Sequence, residues 1–367
     1  MPKPRLVVVG GGVLGTMHAL EGVRHGYDVV QLERHLSPRG ASVRNFGLIW
    51  VSGRAAGPEL DLALDARERW EKIGAEVSGT GFRAIGSLTV ASSEAESRAL
   101  RSSTADPDAV RRGTAWMDPE AVRVANPAIR GEIEGALYCE RDAAVEPRLV
   151  LGALRTYLKA SGSYQFLPGV EVHGISPHAV IDHKGKRYDA DLVVCCPGAA
   201  SSAPFGEIFD AAPLRRVRLQ MLETEPFEEQ LSTAIADGDS MRYYPAFESA
   251  REMLEPQDEI AATWRAQLLM VRRLSGHLTI GDTHAYAEPF PFDVDDAPTR
   301  HLMGVARALL GREAPPVERR WAGVYCEVTE PGALYYRAEV EAGVVVVTGP
   351  GGRGMTMSPA IAAETFQ

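Results

Sequence analysis

Apolar positions along the chain change period several times, and each change predicts a change of element. Leu6-Val7-Val8-Val9 is an unbroken, β-branched run, the pattern of a strand buried on both faces. It runs into Gly10-Gly11-Gly12-Val13-Leu14-Gly15; Met17, Ala19, Leu20 and Val23 then continue as a helix that stops at Gly26, and Asp28 to Leu32 reads as a second strand. Leu60, Leu64, Trp70, Ile73 and Val77 recur at near-helical spacing among acids and arginines, which predicts a surface helix with one buried stripe. Segments 82–91 and 135–139 read as strands, with two short polar helices, 93–103 and 119–125, between them. Pro147 opens a helix over 148–160, at a position where its missing N–H costs nothing. A short strand at 169–172, a hairpin over 179–188 turning at Lys184-Gly185 and a strand from Ala190 to Cys196 follow. Beyond residue 214 the pattern differs: strands at 219–222, 241–247, 268–272 and 277–282 succeed one another without alternating helices. A polar helical excursion over 248–267 interrupts them, and an amphipathic helix covers 298–310. Runs of strands argue for an antiparallel sheet in a body of its own. Val344 to Thr348 is a last β-branched run, leading through a glycine loop into a terminal helix.

The opening unit also carries chemistry. Gly10, Gly12 and Gly15 form G-x-G-x-x-G between a strand and a helix, where the first glycine permits the tight turn and the second lets backbone approach a pyrophosphate. The third lets helix and sheet close up, and the free N–H groups of the helix N-terminus face the phosphates. Glu33 ends the second strand at about the 20-residue spacing at which a carboxylate receives both ribose hydroxyls, and it would repel a 2′-phosphate. NAD and FAD share this fingerprint. A chain of 367 residues suits two domains, and its net charge of −10 with pI near 5.5 argues against nucleic acid as a partner. No apolar stretch approaches the ~20 residues that span a bilayer, and the first core strand begins too early for a signal peptide, so a cytoplasmic protein is expected. Cys139, Cys195, Cys196 and Cys326 have no metal-ligand spacing; neither metal nor disulfide is expected.

A polar loop follows the ribose acid. Its residues Gly40-Ala41-Ser42-Val43-Arg44-Asn45-Phe46-Gly47 match, one for one, a loop of the D-amino-acid oxidase, glycine oxidase and sarcosine oxidase superfamily of FAD enzymes. Two later stretches resemble the same superfamily: 190–199, a strand ending in a small-residue turn, and 344–359, a strand, glycine loop and helix. The resemblance implies an α/β (α+β overall) fold: a Rossmann-type FAD-binding domain of the glutathione-reductase-like kind plus an antiparallel-sheet substrate domain. The first would comprise 1–57, 145–213 and 325–367; the second, 58–144 and 214–324. FAD, bound non-covalently, is expected at Gly10, Gly12, Val13, Leu14 and Gly15, and at Glu33 and Arg34. The loop would add Ser42, Arg44, Asn45, Gly47 and Leu48, and the adenine would meet Val172. Cys196, Pro197 and Gly198 would lie beneath the nucleotide. Gly349, Gly352, Gly354, Met355 and Thr356 would face the flavin, the helix N-terminus stabilising charge on the ring by ~1 kcal/mol.

Within that superfamily, residues 41–50, 219–222 and 278–286 resemble FAD oxidoreductases associated with phosphonate utilisation. The resemblance implies an N-alkylated 2-aminoethylphosphonate as the small amine substrate, converted by hydride transfer from the carbon beside a neutral nitrogen to flavin N5. Imine hydrolysis then gives 2-aminoethylphosphonate and an aldehyde. The alternative is an oxidase or dehydrogenase of a small amino acid: glycine, sarcosine or a D-amino acid. An NAD-linked dehydrogenase and a non-catalytic nucleotide binder are the rival classes. Arg242, Tyr243, Tyr244, Tyr325, Trp50 and Arg353 are the expected substrate contacts, since a phosphonate needs cationic, preferably bidentate, donors. Oxygen or another acceptor must reoxidise the flavin. None of the five lysines matches a flavin-side position, which leaves Arg44, His284 and Arg353 as the catalytic cations and predicts slow to moderate oxidase activity.

Overall fold

In the computed structural model, which describes residues 2–200 and 204–367, the opening apolar run is the strand Arg5–Val9 in the middle of a six-stranded sheet. Across the sheet the order is Tyr336–Glu341, Val344–Thr348, Leu192–Cys195, Arg5–Val9, Asp28–Glu33 and Tyr164–Pro168. Five strands are mutually parallel, and Tyr336–Glu341 runs antiparallel at the edge. The alternation explains the unbroken apolar run. Leu6 and Val8 face a core with Met17, Leu20, Leu154, Leu158, Met357 and Ile361 from three helices, whereas Val7 and Val9 face Val172 and Val180 of a small three-stranded sheet. A strand covered on both faces has no polar side to show.

The helix Pro58–Glu76 packs on the core of the first sheet. Its place in the chain suggests the substrate body, yet its stripe, Trp70 and Ile73, is buried in the same core as Met17 and Met357. Trp70 Nε1 donates to the carbonyls of Met355 (2.9 Å) and Thr356 (3.1 Å), tying this helix to the C-terminal one. Periodicity shows that a stripe is buried, not what buries it.

The second sheet has eight strands, in the order Val317–Val328, Leu214–Pro226, His277–Gly281, Leu269–Arg272, Ala234–Ala236, Ser87–Ala91, Gly135–Cys139 and Thr114–Met117. It is antiparallel except where Ala234–Ala236 runs parallel to Ser87–Ala91. Val317–Val328 runs through the boundary expected at 324/325. The strand expected over 241–247 is absent: Gly238–Arg242 and Pro245–Met253 are 3₁₀ turns. Pro245 has no N–H to give to a ladder, and the Asp237 carboxylate takes the Ser240 N–H at 3.0 Å, the local bond that starts a turn. The fold is mixed α/β with sheets of mixed orientation. Among the described residues no helix is long and apolar enough to cross a membrane, and the four cysteines are buried free thiols.

Candidate active site

One cavity of about 760 Å³ starts where Val9 and Glu33 end their strands and Cys196 follows its own, and reaches Leu219, Leu269 and Val324 of the second sheet. Backbone dominates its first half. Gly10 has φ +115°, and a Cβ there would lie 2.3 Å from the Cys196 carbonyl; a Cβ on Gly15 would lie 2.2 Å from the carbonyl of Gly10. Only hydrogen fits at either place. The Val13 N–H at the helix start donates to Ser42 Oγ (2.9 Å). Glu33 accepts the N–H groups of Gly11 (2.7 Å) and His35 (2.9 Å), one on each oxygen. A carboxylate has about four acceptor sites, so two backbone bonds leave room for two hydroxyls. The helices Val13–Arg24 and Gly354–Ala363 both begin at this cavity, neither with an acid in its first turn, so two positive helix ends converge on it unneutralised.

The Arg44 guanidinium lines the cavity while donating to the Ala322 carbonyl (2.8 Å). Asn45 Nδ2 donates to the Ala41 carbonyl (2.8 Å), and its Oδ1 takes the Gly47 N–H (2.6 Å), locking the loop. Thr356 Oγ1 accepts the Trp50 N–H (2.9 Å) and donates to the Leu48 carbonyl (3.3 Å). The expected cofactor residues all line the cavity except Gly47, which lies behind it: its φ is +66°, and a Cβ there would meet the Val145 carbonyl at 2.2 Å. Gly47 shapes the loop and does not contact the cavity. All five lysines are exposed and none lines it.

Side chains build the other half. Trp50 and Tyr244 rings lie 5.7 Å apart, and Tyr243 stacks on His284 at 4.4 Å. Glu59 stands between two guanidinium groups: Arg353 Nε donates to it at 2.8 Å, and Arg54 approaches to 3.6 Å. Within this three-residue cluster one guanidinium charge is left over. Burial pulls the Arg54 guanidinium below its ordinary pKa, and Glu59 opposes that shift. Burial likewise pushes the Tyr243, Tyr244 and Tyr325 phenols well up, so they are O–H donors at neutral pH. Trp50 Nε1 and Gln267 Oε1 are buried without a hydrogen-bond partner among the described residues.

Trp50, Tyr243, Tyr244, His284, Tyr325 and Arg353 thus share the chamber, but Arg242 does not. Its guanidinium turns to Asp239 (2.9 Å) because a 3₁₀ turn, rather than a strand, carries it. Arg54, Gln267, Asp282 and Tyr286 also line the chamber, and sequence reasoning misses all four as site residues. Asp282 belongs to the stretch 278–286 that contains His284, a signal that could have found it; Arg54 has no signal beyond following the polar loop. Buried Asp142 positions the Trp50–Arg54 segment, taking the N–H groups of Val51 (2.5 Å) and Ser52 (3.1 Å) and the hydroxyls of Ser52 and Ser87 (both 2.6 Å).

Residues 5–367 match the family described as DAO, FAD dependent oxidoreductase. The chain belongs to the DAO family. It is 30% identical over 239 residues to a Rhizobium etli protein named as a thiamine biosynthesis oxidoreductase, ThiO, covering 63% of each chain. It is 27% identical over 240 residues to one of the subunits of opine oxidase from Rhizobium meliloti, covering 62% of this chain and 64% of that one. The matches span less than two thirds of these relatives. Glycine oxidase from Geobacillus kaustophilus superposes with a TM-score of 0.78 at 18% identity, covering 99% of this chain and 93% of that structure. FAD is the cofactor of the DAO family, and the glycine-lined half of the cavity, with two helix N-termini, suits its pyrophosphate and the electron-accepting end of its ring.

Proposed function

We propose that this chain is an FAD-dependent amine oxidoreductase whose substrate joins the reacting nitrogen to an anionic group. The observation that carries the proposal is a single cavity with a glycine-built dinucleotide cradle at one end and a chamber of aromatic rings, one surplus guanidinium charge and an unpartnered acceptor at the other. Bound in the cradle, FAD supplies the acceptor for the hydride lost from the carbon beside nitrogen, and water hydrolyses the resulting imine. The residues do the positioning. Arg54 and Arg353 receive the anion, Trp50 and Tyr244 wall the carbon chain, and Tyr243 and Tyr325 offer O–H donors. Arg44 lines the cofactor end of the cavity, where its charge would favour negative charge on a bound flavin.

An N-alkylated 2-aminoethylphosphonate is the first candidate substrate, on the resemblance of residues 41–50, 219–222 and 278–286 to phosphonate-associated enzymes. A small amino acid is the second. It is favoured by the one charge left over in the Arg54–Glu59–Arg353 cluster, which matches one carboxylate, and by proteins named for glycine and opine oxidation. Anaerobic titration of the yellow protein separates the two: N-methyl-2-aminoethylphosphonate should bleach the flavin at lower concentration than sarcosine, glycine or D-alanine. Bleaching by the amino acids alone removes the phosphonate, and bleaching by none removes the amine.

A further inference from the structure

Asp282 follows the strand His277–Gly281, lines the chamber and is 5% exposed. Gln267 Nε2 donates to its Oδ1 at 3.2 Å, and His284 Nε2 lies 4.0 Å from its Oδ2. No lysine or arginine among the described residues comes within ion-pair distance, whereas Glu59, behind the lining, has Arg54 and Arg353 as partners. A buried carboxylate with no lysine or arginine beside it is costly, and in a site for amines the substrate's own ammonium can serve as its partner.

The surroundings are arranged for a proton. His284 Nδ1 lies 3.1 Å from the Arg265 carbonyl, so that nitrogen carries a hydrogen, and Nε2 is the ring atom turned toward Asp282. Tyr243 stacks on the ring and holds it there. The other groups that act on Asp282 are the phenols of Tyr243, Tyr244, Tyr286 and Tyr325, all raised by burial and therefore uncharged. Gln267 Oε1, beside the carboxylate, lacks a hydrogen to accept. Oxidation at carbon requires a neutral nitrogen, yet alkylamines reach the enzyme as ammonium ions.

We propose that Asp282 is the proton acceptor for the bound amine. The ammonium N–H bond breaks, an O–H bond forms on the Asp282 carboxylate, and the electron pair stays on nitrogen; Gln267 Oε1 accepts a remaining N–H. Burial pushes the Asp282 carboxyl up from its ordinary range, against the opposing pull of His284 and Gln267, which makes it a stronger base. Where the carboxylate is buried, moreover, the neutral pair of amine and acid costs less than the ion pair.

This inference rests on the amine reading, and the two fail differently. In the FAD-loaded wild type, the anaerobic flavin-reduction rate with a bleaching amine should stay level as pH falls below that amine's own pKa. In Asp282→Asn, with flavin content unchanged, the rate at neutral pH should fall at least about a hundredfold, the usual scale of a lost base, and should rise about tenfold per pH unit. An unchanged rate and profile in the variant overturns the role of Asp282 alone. If the variant does not take up flavin, the wild type still decides: a rate that drops tenfold per unit below the amine's pKa overturns the proposal. A wild type that no amine bleaches overturns the amine reading and Asp282 with it.

Discussion

The two ends of the cavity are built by different means. The cofactor end is made largely of backbone: Gly10 and Gly15 have no space for a Cβ, two helices begin there without an acid in the first turn, and the Glu33 carboxylate is held by N–H groups of its own neighbourhood. The substrate end is made of side chains that arrive from distant segments: Trp50 and Arg54, Tyr243 and Tyr244, Gln267 and Asp282, Tyr325, and Arg353. Backbone geometry tolerates almost no substitution but serves any member of a family that binds the same cofactor. Side chains can be exchanged one at a time, and with them the substrate.

The largest effect that sharpens this contrast should come from Gly15→Val. Its Cβ would meet a backbone carbonyl that cannot move aside, so the protein should lose its flavin altogether, read as the flavin-to-protein absorbance ratio. Gly152→Ala, where a Cβ meets nothing within 4 Å, should keep it.

The scaffold beneath the cofactor end should also respond to acid. His18 is fully buried between Leu14 and Thr365, and burial pulls its pKa from 6.5 to about 4. The unfolded chain binds that proton first. Stability should therefore be intact above pH 6.5 and fall by about 3 kcal/mol as the pH drops toward 4. Chemical denaturation across that range should show the loss in wild type and a shallower slope in His18→Gln.

At the substrate end, Arg54→Met should leave flavin content unchanged and weaken an anionic amine at least tenfold, or about 1.4 kcal/mol, in KM or in the half-saturation of flavin reduction. Unequal losses on phosphonate and carboxylate analogues would sharpen the substrate class; equal losses would remove charge as the discriminator. Arg242→Ala should change both by less than about twofold, because that guanidinium is engaged with Asp239 outside the chamber.

The smallest effect concerns the acceptor. With no lysine lining the cavity, reaction of the reduced enzyme with oxygen should be slow to moderate. Arg44, His284 and Arg353 all line it, and stopped-flow reoxidation of each Met variant should slow for one of them. An unaffected rate in all three would show that none activates oxygen.

The same contrast separates what was legible in the sequence from what was not. Glycine spacing, the β-branched run 6–9 and the ribose acid are local features, and so is the loop 40–47. Their spatial arrangement follows from one strand–helix–strand unit and three parallel neighbours. The chamber depends on which distant strands become adjacent. Arg242 and Tyr243 are consecutive, and only the 3₁₀ turn that Asp237 and Pro245 enforce sends one outward while the other stacks on His284. The stripe on Pro58–Glu76 was legible as a stripe, while its partner, the C-terminal helix nearly 300 residues later, was not.

If cofactor and amine share one continuous cavity, an anion held in the chamber must be felt by the flavin. The most direct test is to titrate the oxidised, FAD-loaded protein with an anionic ligand that cannot be oxidised, such as an alkylphosphonate or acetate, while following the flavin spectrum and the heat of binding together. The expected result is a saturable spectral shift whose midpoint matches the calorimetric Kd and weakens at least tenfold in Arg54→Met. Binding heat without any change in the flavin spectrum, or a shift indifferent to Arg54, would contradict a shared cavity.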